Sequence, residues 1–255
     1  MRTKVGPGRA GFTEGLASEW AKFRTVRSTR WTLAAMAAFV LGIAAFVGAT
    51  RSLQPDDTVL GGSLTGAPFG LLVGASFGVL VSSREYATGT IGATLMACPR
   101  RGVVLAAKAT VTAAVMFGVA LAACFLAYQV GTVMLPDAYA PGTPMLALLG
   151  VAACFSVTAL GGLAVGALLR HSAGAITTMV AVLLLPSLIG PLLGDWERWV
   201  AGASPVAAVQ KLSQSSDAAP DAVGSLGAWP SLLLVCGYVL VALVGAGLVF
   251  RRRDA

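Results

Sequence analysis

Residues able to do chemistry are few in this 255-residue chain, and their spacing rules out most chemistries. His171 is the single histidine and sits beside Arg170 between two apolar runs, so a serine–histidine pair could form only there. Neither Ser156 nor Ser172 lies in a nucleophile motif. Cys98, Cys124, Cys154 and Cys236 show no CxxC and no Cys/His ligand spacing. Three of them fall inside apolar runs and read there as small apolar side chains; Cys98 falls in a loop. A phosphate-cradling loop needs Gly-Lys-Ser/Thr, and none of Lys4, Lys22, Lys108 and Lys211 follows a glycine. Metal-dependent transfer to lipid headgroups needs clustered aspartates at one membrane face, where only Glu85 and Asp254 are at hand. No catalytic residue, metal ligand or bound cofactor is therefore assigned, and the chain reads as not an enzyme. One string concentrates charge, glycine and hydroxyls in a short loop: Arg84-Glu85-Tyr86-Ala87-Thr88-Gly89-Thr90-Ile91, continuing through Leu95 to Pro99-Arg100-Arg101.

The elements that must position this loop are long and apolar. Six runs, 32–50, 63–83, 109–135, 144–169, 172–194 and 229–250, contain no charged residue. The shortest has 19 residues, and at ~1.5 Å per helical residue it spans about the thickness of a bilayer's hydrocarbon core. With 56% hydrophobic and 11% charged residues and a mean hydropathy of +0.81, the chain is an integral membrane protein. No stretch outside the runs is long enough for a second globular domain. Residues 1–255 form one domain: a loose tail over 1–13, a helix over 14–31, a six-span bundle over 32–250 and a basic tail over 251–255. Transport of protons or ions normally needs ionisable side chains at membrane depth. The runs hold none, so energy for moving anything must come from elsewhere.

The net charge of +7 follows from topology and not from a nucleic-acid partner. If the N-terminus is cytosolic, the outer segments hold only Arg51, Arg198 and Lys211, which leaves fifteen of the eighteen basic residues inside. Asp56, Asp57, Asp137, Asp195, Glu197, Asp217 and Asp221 fall outside. The positive-inside rule then places both termini in the cytosol, for a multi-pass protein of the cytoplasmic membrane. The first run begins after about thirty polar residues and is too long for the apolar region of a cleavable signal, so it is a retained span.

Thr13 is a candidate cap for a helix running from Glu14 to Arg30. Leu16, Trp20, Phe23 and Arg27 share one stripe on it, flanked by Lys22, Arg24 and Arg30. That is the pattern of a helix lying in the membrane interface with its basic side chains on lipid phosphates. A plain positive flank for the first span is the other reading. The second span carries glycines at 62, 66, 70, 74 and 78, and the fourth repeats the theme at Gly162 and Gly166. Such a ladder lets a neighbouring helix approach closely, or lines a pore. In the fifth span Pro186 and Pro191 predict a kink or break in its outer half. Beyond it, 200–212 is apolar enough for a short helix dipping back into the outer leaflet. The span hydroxyls of Ser76, Thr112, Ser156, Thr158, Thr177 and Thr178 either line a route or bond back to their own helices.

In the loop after the second span, Gly89 breaks the helix, Thr90 can cap a new one, Ile91, Leu95 and Cys98 share a face, and Pro99 ends it. Lys108 marks where the third span enters the membrane. Glu85 either pairs with Arg24 or Arg27 of the N-terminal helix or is solvated. The string Glu85-Tyr86-x-x-Gly89-Thr90-Ile91, Leu95, Pro99-x-Arg101 and Lys108 resembles the loop between the second and third helices of type-2 ATP-binding-cassette (ABC) exporter permeases. Glu19-Trp20-x-Lys22-x-Arg24-x-x-Arg27 is similar to the helix before their first span. The resemblance implies an all-α membrane fold of six transmembrane helices with an N-terminal interfacial helix. It also implies a short cytosolic coupling helix between spans 2 and 3 that docks on a separate ATPase subunit. Glu85, Tyr86, Gly89, Thr90, Ile91 and Leu95 would then contact that ATPase, which would hold ATP and Mg, and the working form would be a dimer of permease chains.

Two functions follow as expectations. The first is the permease subunit of an ABC transporter exporting an apolar or amphiphilic compound such as a drug, lipid or modified peptide. The second is a membrane scaffold that anchors a cytosolic partner and transports nothing. A facilitator working without ATP would show flux in proteoliposomes that lack nucleotide.

Overall fold

The computed structural model describes residues 11–252 apart from 52, 55, 90–100 and 136–138. The short helix expected over 90–98, with Thr90, Ile91 and Leu95, lies outside these residues. Among the described residues all regular structure is helical. In chain order the helices are α1 (Phe12–Thr25), α2 (Arg27–Thr50), α3 (Val59–Ser63), α4 (Ala67–Ala87), α5 (Arg101–Met134), α6 (Pro144–Leu169), α7 (Ser172–Ile189), α8 (Glu197–Gly202), α9 (Pro205–Leu212), α10 (Pro220–Val223) and α11 (Ala228–Arg252). Six of them, α2, α4, α5, α6, α7 and α11, are long and apolar enough to cross a membrane. They are the spine of a multi-pass membrane protein.

The bundle is built around α6. Of its apolar window 72% is buried, against 17% for α7, so α6 is the centre and α7 lies at the rim. These helices are apolar all round, so hydrophobicity alone cannot say which face turns inward. Side-chain size decides instead. A Cβ on Gly78 of α4 would run into the Ala159 carbonyl of α6, and one on Gly162 of α6 would run into the Ala75 carbonyl of α4. A Cβ on Gly166 would stand 2.8 Å from the Val79 carbonyl oxygen, a less severe but still forbidding approach. Lipid gives no hydrophobic drive for helix pairing, so backbone contact of this kind supplies the dispersion that holds α4 on α6. Farther along α4, Gly70 accommodates Val40 and the Phe155 ring, Gly74 meets Met116 and Phe155, and Gly66 abuts the Phe39 carbonyl of α2.

Four boundaries differ from the sequence expectation, each for a local reason. The N-terminal helix is not continuous to Arg30. Gly11, not Thr13, is its N-cap, and the Gly11 N–H donates to Glu14 Oε2 at 2.7 Å. It stops at Thr25, whose hydroxyl donates back to the Ala21 and Lys22 carbonyls, and Val26 is extended at φ −82°, ψ 107°. Two β-branched residues in succession make this the weakest point of the run. The second span is interrupted between α3 and α4, because Pro68 has no N–H for the carbonyl of residue 64 and is tolerated only in a first turn. The helix of the third span begins at Arg101, eight residues before the apolar run at 109, so Lys108 lies two turns inside a 34-residue helix. At ~1.5 Å per residue α5 is about 50 Å long, well beyond a hydrocarbon core of ~30 Å.

The fifth span does break, toward its C-terminal end. Pro186 sits inside α7, Pro191 lies in a 3-10 turn over Gly190–Leu192, and a second such turn follows at Gly194–Trp196. The single short helix expected over 200–212 is instead two, α8 and α9, because Ser204 caps a new helix that begins at Pro205. Ala208, Val209 and Leu212 of α9 join the same core cluster as Val151, Cys154 and Phe155 of α6. The loops at that end are tied together around Asp57 and Gln214. Asp57 Oδ1 accepts from the Thr58 N–H at 3.2 Å and from the Ser216 N–H at 3.1 Å. The Thr58 hydroxyl donates to the Gln214 carbonyl at 3.3 Å, and Gln214 Oε1 accepts from the Thr143 N–H at 3.4 Å. Burial pushes the Asp57 carboxyl up from 3.8, with the nearby Asp217 and Asp56 charges adding to this, although both backbone donors act against it.

Candidate functional site

The opposite end of the bundle holds a closed ring of four charges. Glu19 and Lys22 come from α1, one turn apart, and meet at 2.7 Å through Glu19 Oε1. Lys22 reaches across to Glu85 Oε1 of α4 at 2.8 Å. Glu85 Oε1 also meets Lys108 of α5 at 2.8 Å, and Lys108 returns to Glu19 Oε2 at 3.0 Å. Positive and negative groups alternate around the ring, so its formal charge is zero. Glu19, Glu85 and Lys108 are buried, while Lys22 is half-exposed. Lys108 Nζ adds a bond to the Val81 carbonyl at 3.4 Å.

Each member is brought in by local structure. On α1 the face turned to the bundle is Gly15, Glu19 and Lys22, spaced i, i+4 and i+7. Gly15 lets the helix settle on α5, since a Cβ there would stand 3.2 Å from the Ala107 Cβ. Lys108 follows Ala107 and is delivered to the same contact. Glu85 sits in the last turn of α4. That helix ends as Thr88 N–H bonds the Arg84 carbonyl at 2.9 Å and Gly89 N–H bonds the Tyr86 carbonyl at 3.3 Å. Gly89 takes φ +67°, a left-handed stop that a glycine accepts without steric cost.

Electrostatically the ring is self-consistent. Burial works against the Lys22 ammonium, but hydrogen bonds and charges from Glu19 and Glu85 outweigh it and hold its pKa above 10.5. Glu85 Oε2 is buried and has no hydrogen-bond partner among the described residues, so the whole compensation of this carboxylate falls on Oε1 and its two lysines. Arg84, next in sequence, turns the other way and donates to the Ser28 hydroxyl at the start of α2. Tyr86 carries the Arg170 guanidinium over its ring at 5.0 Å, a cation–π contact that joins α4 to the turn between α6 and α7. In that turn Arg170 takes φ 55°, and His171 Nδ1 accepts from the Gly174 N–H at 3.2 Å as the cap of α7. The lone histidine is thereby occupied as a structural cap.

The sequence-predicted residues divide accordingly. Glu85, Tyr86 and Gly89 stand together at the end of α4, each with a defined structural role. Glu85 does bind the N-terminal helix, but through Lys22 and not through Arg24 or Arg27: Lys22 shares the buried face of α1 with Glu19, Arg24 lies on the exposed face of the same helix, and Arg27 lies beyond the break at Val26 and is exposed. Of the expected stripe, Leu16 and Phe23 are half-buried, Trp20 is exposed and stacks on Phe23 at 5.6 Å, and Arg27 belongs to the next helix. Glu19, Lys22 and Lys108 were missed as site residues. The i, i+3 spacing of Glu19 and Lys22 was a usable signal for the first two. Most span hydroxyls bond to their own helices: Ser76 to the Leu72 carbonyl at 2.9 Å, Thr177 to Ala173 at 3.0 Å and Thr178 to Gly174 at 2.8 Å. Ser156 also reaches the Ala113 carbonyl of α5, at 3.2 Å.

Beside the ring lies a cavity of about 490 Å³ between α1, the start of α2, α4 and α5. The ring charges and Arg84 line one end of it, and Phe77, Leu80, Val81 and Val111 line the other. Among the described residues no three His, Cys, Asp or Glu side chains converge as a metal set. The arrangement is built to hold three helices in fixed relation at the point where the chain leaves α4 for the loop to α5. No protein-family model matches this chain, and no curated protein is significantly similar to it.

Proposed function

We propose that this chain is the membrane-spanning subunit of a transporter powered by a separate ATP-hydrolysing subunit, of the type-2 ABC exporter kind. The observation that carries the reading is the ring. Glu85 is among the last residues of α4, at the edge of the loop that resembles a coupling loop, and it is bonded to both α1 and α5. A partner pressing on the 90–98 segment would move α4 and α5 directly and α1 through Lys22. A chain without its own phosphate-binding loop needs such an external drive. The excess of basic residues at this end supports a cytosolic placement in the cytoplasmic membrane, with α1 at the interface. Two copies would form the working unit. Charge-free spans favour an apolar or amphiphilic cargo. ATP binding would close the ATPase pair, tilt the segment and open an outward path between the copies. The second reading is a scaffold that anchors a cytosolic partner, and a rigid ring suits it too.

The discriminating experiment co-expresses the chain with the product of a neighbouring reading frame that carries Gly-x-x-x-x-Gly-Lys-Ser/Thr. Co-purification, and ATP hydrolysis stimulated by amphiphilic compounds, are expected. Deleting residues 90–98 should abolish association while membrane insertion persists. Retained association, or nucleotide hydrolysis by the isolated chain, overturns the reading. Association without transport of any compound favours the scaffold.

A further inference from the structure

We infer that the cavity beside the charge ring is a binding site for one anionic phospholipid of the surrounding bilayer. Three observations converge on this occupant. First, the size is right: about 490 Å³ falls within the range of ~300–1,000 Å³ typical of small-molecule sites. Second, the cavity is polarised along the bundle. Arg84 and Lys108 lie level with the ring, whereas Phe77 lies two turns farther along α4, about 10 Å deeper at ~1.5 Å per residue. Leu80, Val81 and Val111 fill the interval with apolar surface. An acyl chain with a charged head has this same order of polarity. Third, the lining carries three basic side chains, Lys22, Arg84 and Lys108, against two carboxylates, Glu19 and Glu85. One positive charge is left in excess. The two lysines are committed to the ring, so the excess resides on Arg84.

Arg84 is suited to the head. Its guanidinium carries five N–H donors, of which the described residues take up one, through the Ser28 hydroxyl. The planar fork matches two phosphate oxygens at once, which a lysine cannot do. Lipid enters with its phosphodiester on Arg84 and one chain between α1, α4 and α5, beneath Phe23. So placed, it fills the gap between the N-terminal helix and the bundle. Occupancy would change how firmly α1 sits on α5. The inference holds whether or not the chain transports anything, because no step of it uses an ATPase.

The test uses the full chain purified in mixed micelles. Native mass spectrometry compares retention of phosphatidylglycerol with phosphatidylcholine of identical chains. Both lipids carry the phosphodiester, but only phosphatidylcholine brings a choline cation to the excess positive charge at Arg84, so wild type should retain the anionic lipid about tenfold better. Arg84→Gln should remove the preference, and Val111→Trp should lower retention of both lipids by filling the deep end. A third measurement needs no substitution: phosphatidylglycerol with a photoreactive group on its acyl chain should crosslink to the 77–84 and 108–112 peptides. Equal retention of the two lipids, a preference that survives Arg84→Gln, or crosslinks confined to the outward faces of α7 and α11 would each overturn the assignment.

Discussion

Replacing Lys108 by methionine isolates what the ring contributes. The side chain stays unbranched and only one atom shorter while it loses its charge, so two buried carboxylates share Lys22 alone. Lys108 Nζ stands 3.0 Å from Glu19 Oε2 and 2.8 Å from Glu85 Oε1, and the three residues are buried. Removing one partner from a buried ion pair costs about 3–5 kcal/mol, chiefly by stranding the remaining charge. The docked-to-undocked ratio of α1 should fall by about two to four orders of magnitude. Trypsin is a suitable reporter. Arg24 and Arg27 flank the extended Val26 and are exposed, so cleavage there follows the fraction of molecules in which α1 has come loose. Lys108→Met should be cut there far faster than wild type, and the Trp20 emission should shift. The control neutralises all four members, Glu19→Gln, Lys22→Met, Glu85→Gln and Lys108→Met together, and should regain most of the resistance because no charge is left unpaired. A Lys108→Met chain cut no faster than wild type would refute the reasoning. So would a fourfold variant as labile as the single one, since the loss would then come from lost contacts and not from charge.

Further outcomes follow from other parts of the molecule. Gly78→Val should lower the melting temperature in detergent sharply, because its Cβ falls on the Ala159 carbonyl and overpacking of this kind costs about 1–3 kcal/mol or more; an unchanged melt would mean that α4 and α6 are not held by that contact. Lys22 has a raised pKa, so its share of ring stability is complete below 10.5 and is lost only as pH climbs through the higher folded value; tryptic resistance at Arg24 and Arg27 should therefore be flat across neutral pH. Asp57 behaves oppositely. Its pKa is raised by burial, so the folded loops bind the proton more tightly and gain stability as pH falls through the folded value. Protection factors for hydrogen exchange around 57–62 and 214–216, which remove the intrinsic pH dependence of amide exchange, should rise on acidification in wild type and stay constant in Asp57→Asn, whose carbonyl keeps both backbone donors. Equal pH dependence in the two proteins would rule this out.

Much of this architecture was readable from the chain, and the missing parts have definable causes. Charge-free runs longer than a bilayer is thick announce themselves, as do Pro186 and Pro191 as breakers and Gly89 as a stop. The α4–α6 glycine contact was legible as close helix approach, although the partner of each glycine was not. Periodicity placed Glu85 at the end of a helix but could not choose its partners. That choice depends on which face of α1 turns inward, the one with Gly15, Glu19 and Lys22 and not the one with Arg24, and on Val26, where two β-branched residues end α1 before Arg27. It depends equally on α5 starting at Arg101. Counting apolar residues puts the boundary at Ala109, because composition marks where lipid begins and not where the helix does. Glu19 was obscured by its neighbours: Trp20 and Phe23 suggest a membrane-facing stripe, while the residue that buries itself is the acid just before Trp20.

The position of α9 also bears on how the molecule is made. Leu212 sits against Gly150 of α6 closely enough that a Cβ there would stand 2.6 Å from Leu212 Cδ2, and Val209 shares a core cluster with Val235 of α11. A nascent chain releases α11 after α6 and α9. Until α11 has left the ribosome, α9 can touch α6 but lacks its contact with Val235. Sealing of that end is thus a late step of biogenesis, and chains stalled before residue 228 should present Val209 and Leu212 to quality-control machinery.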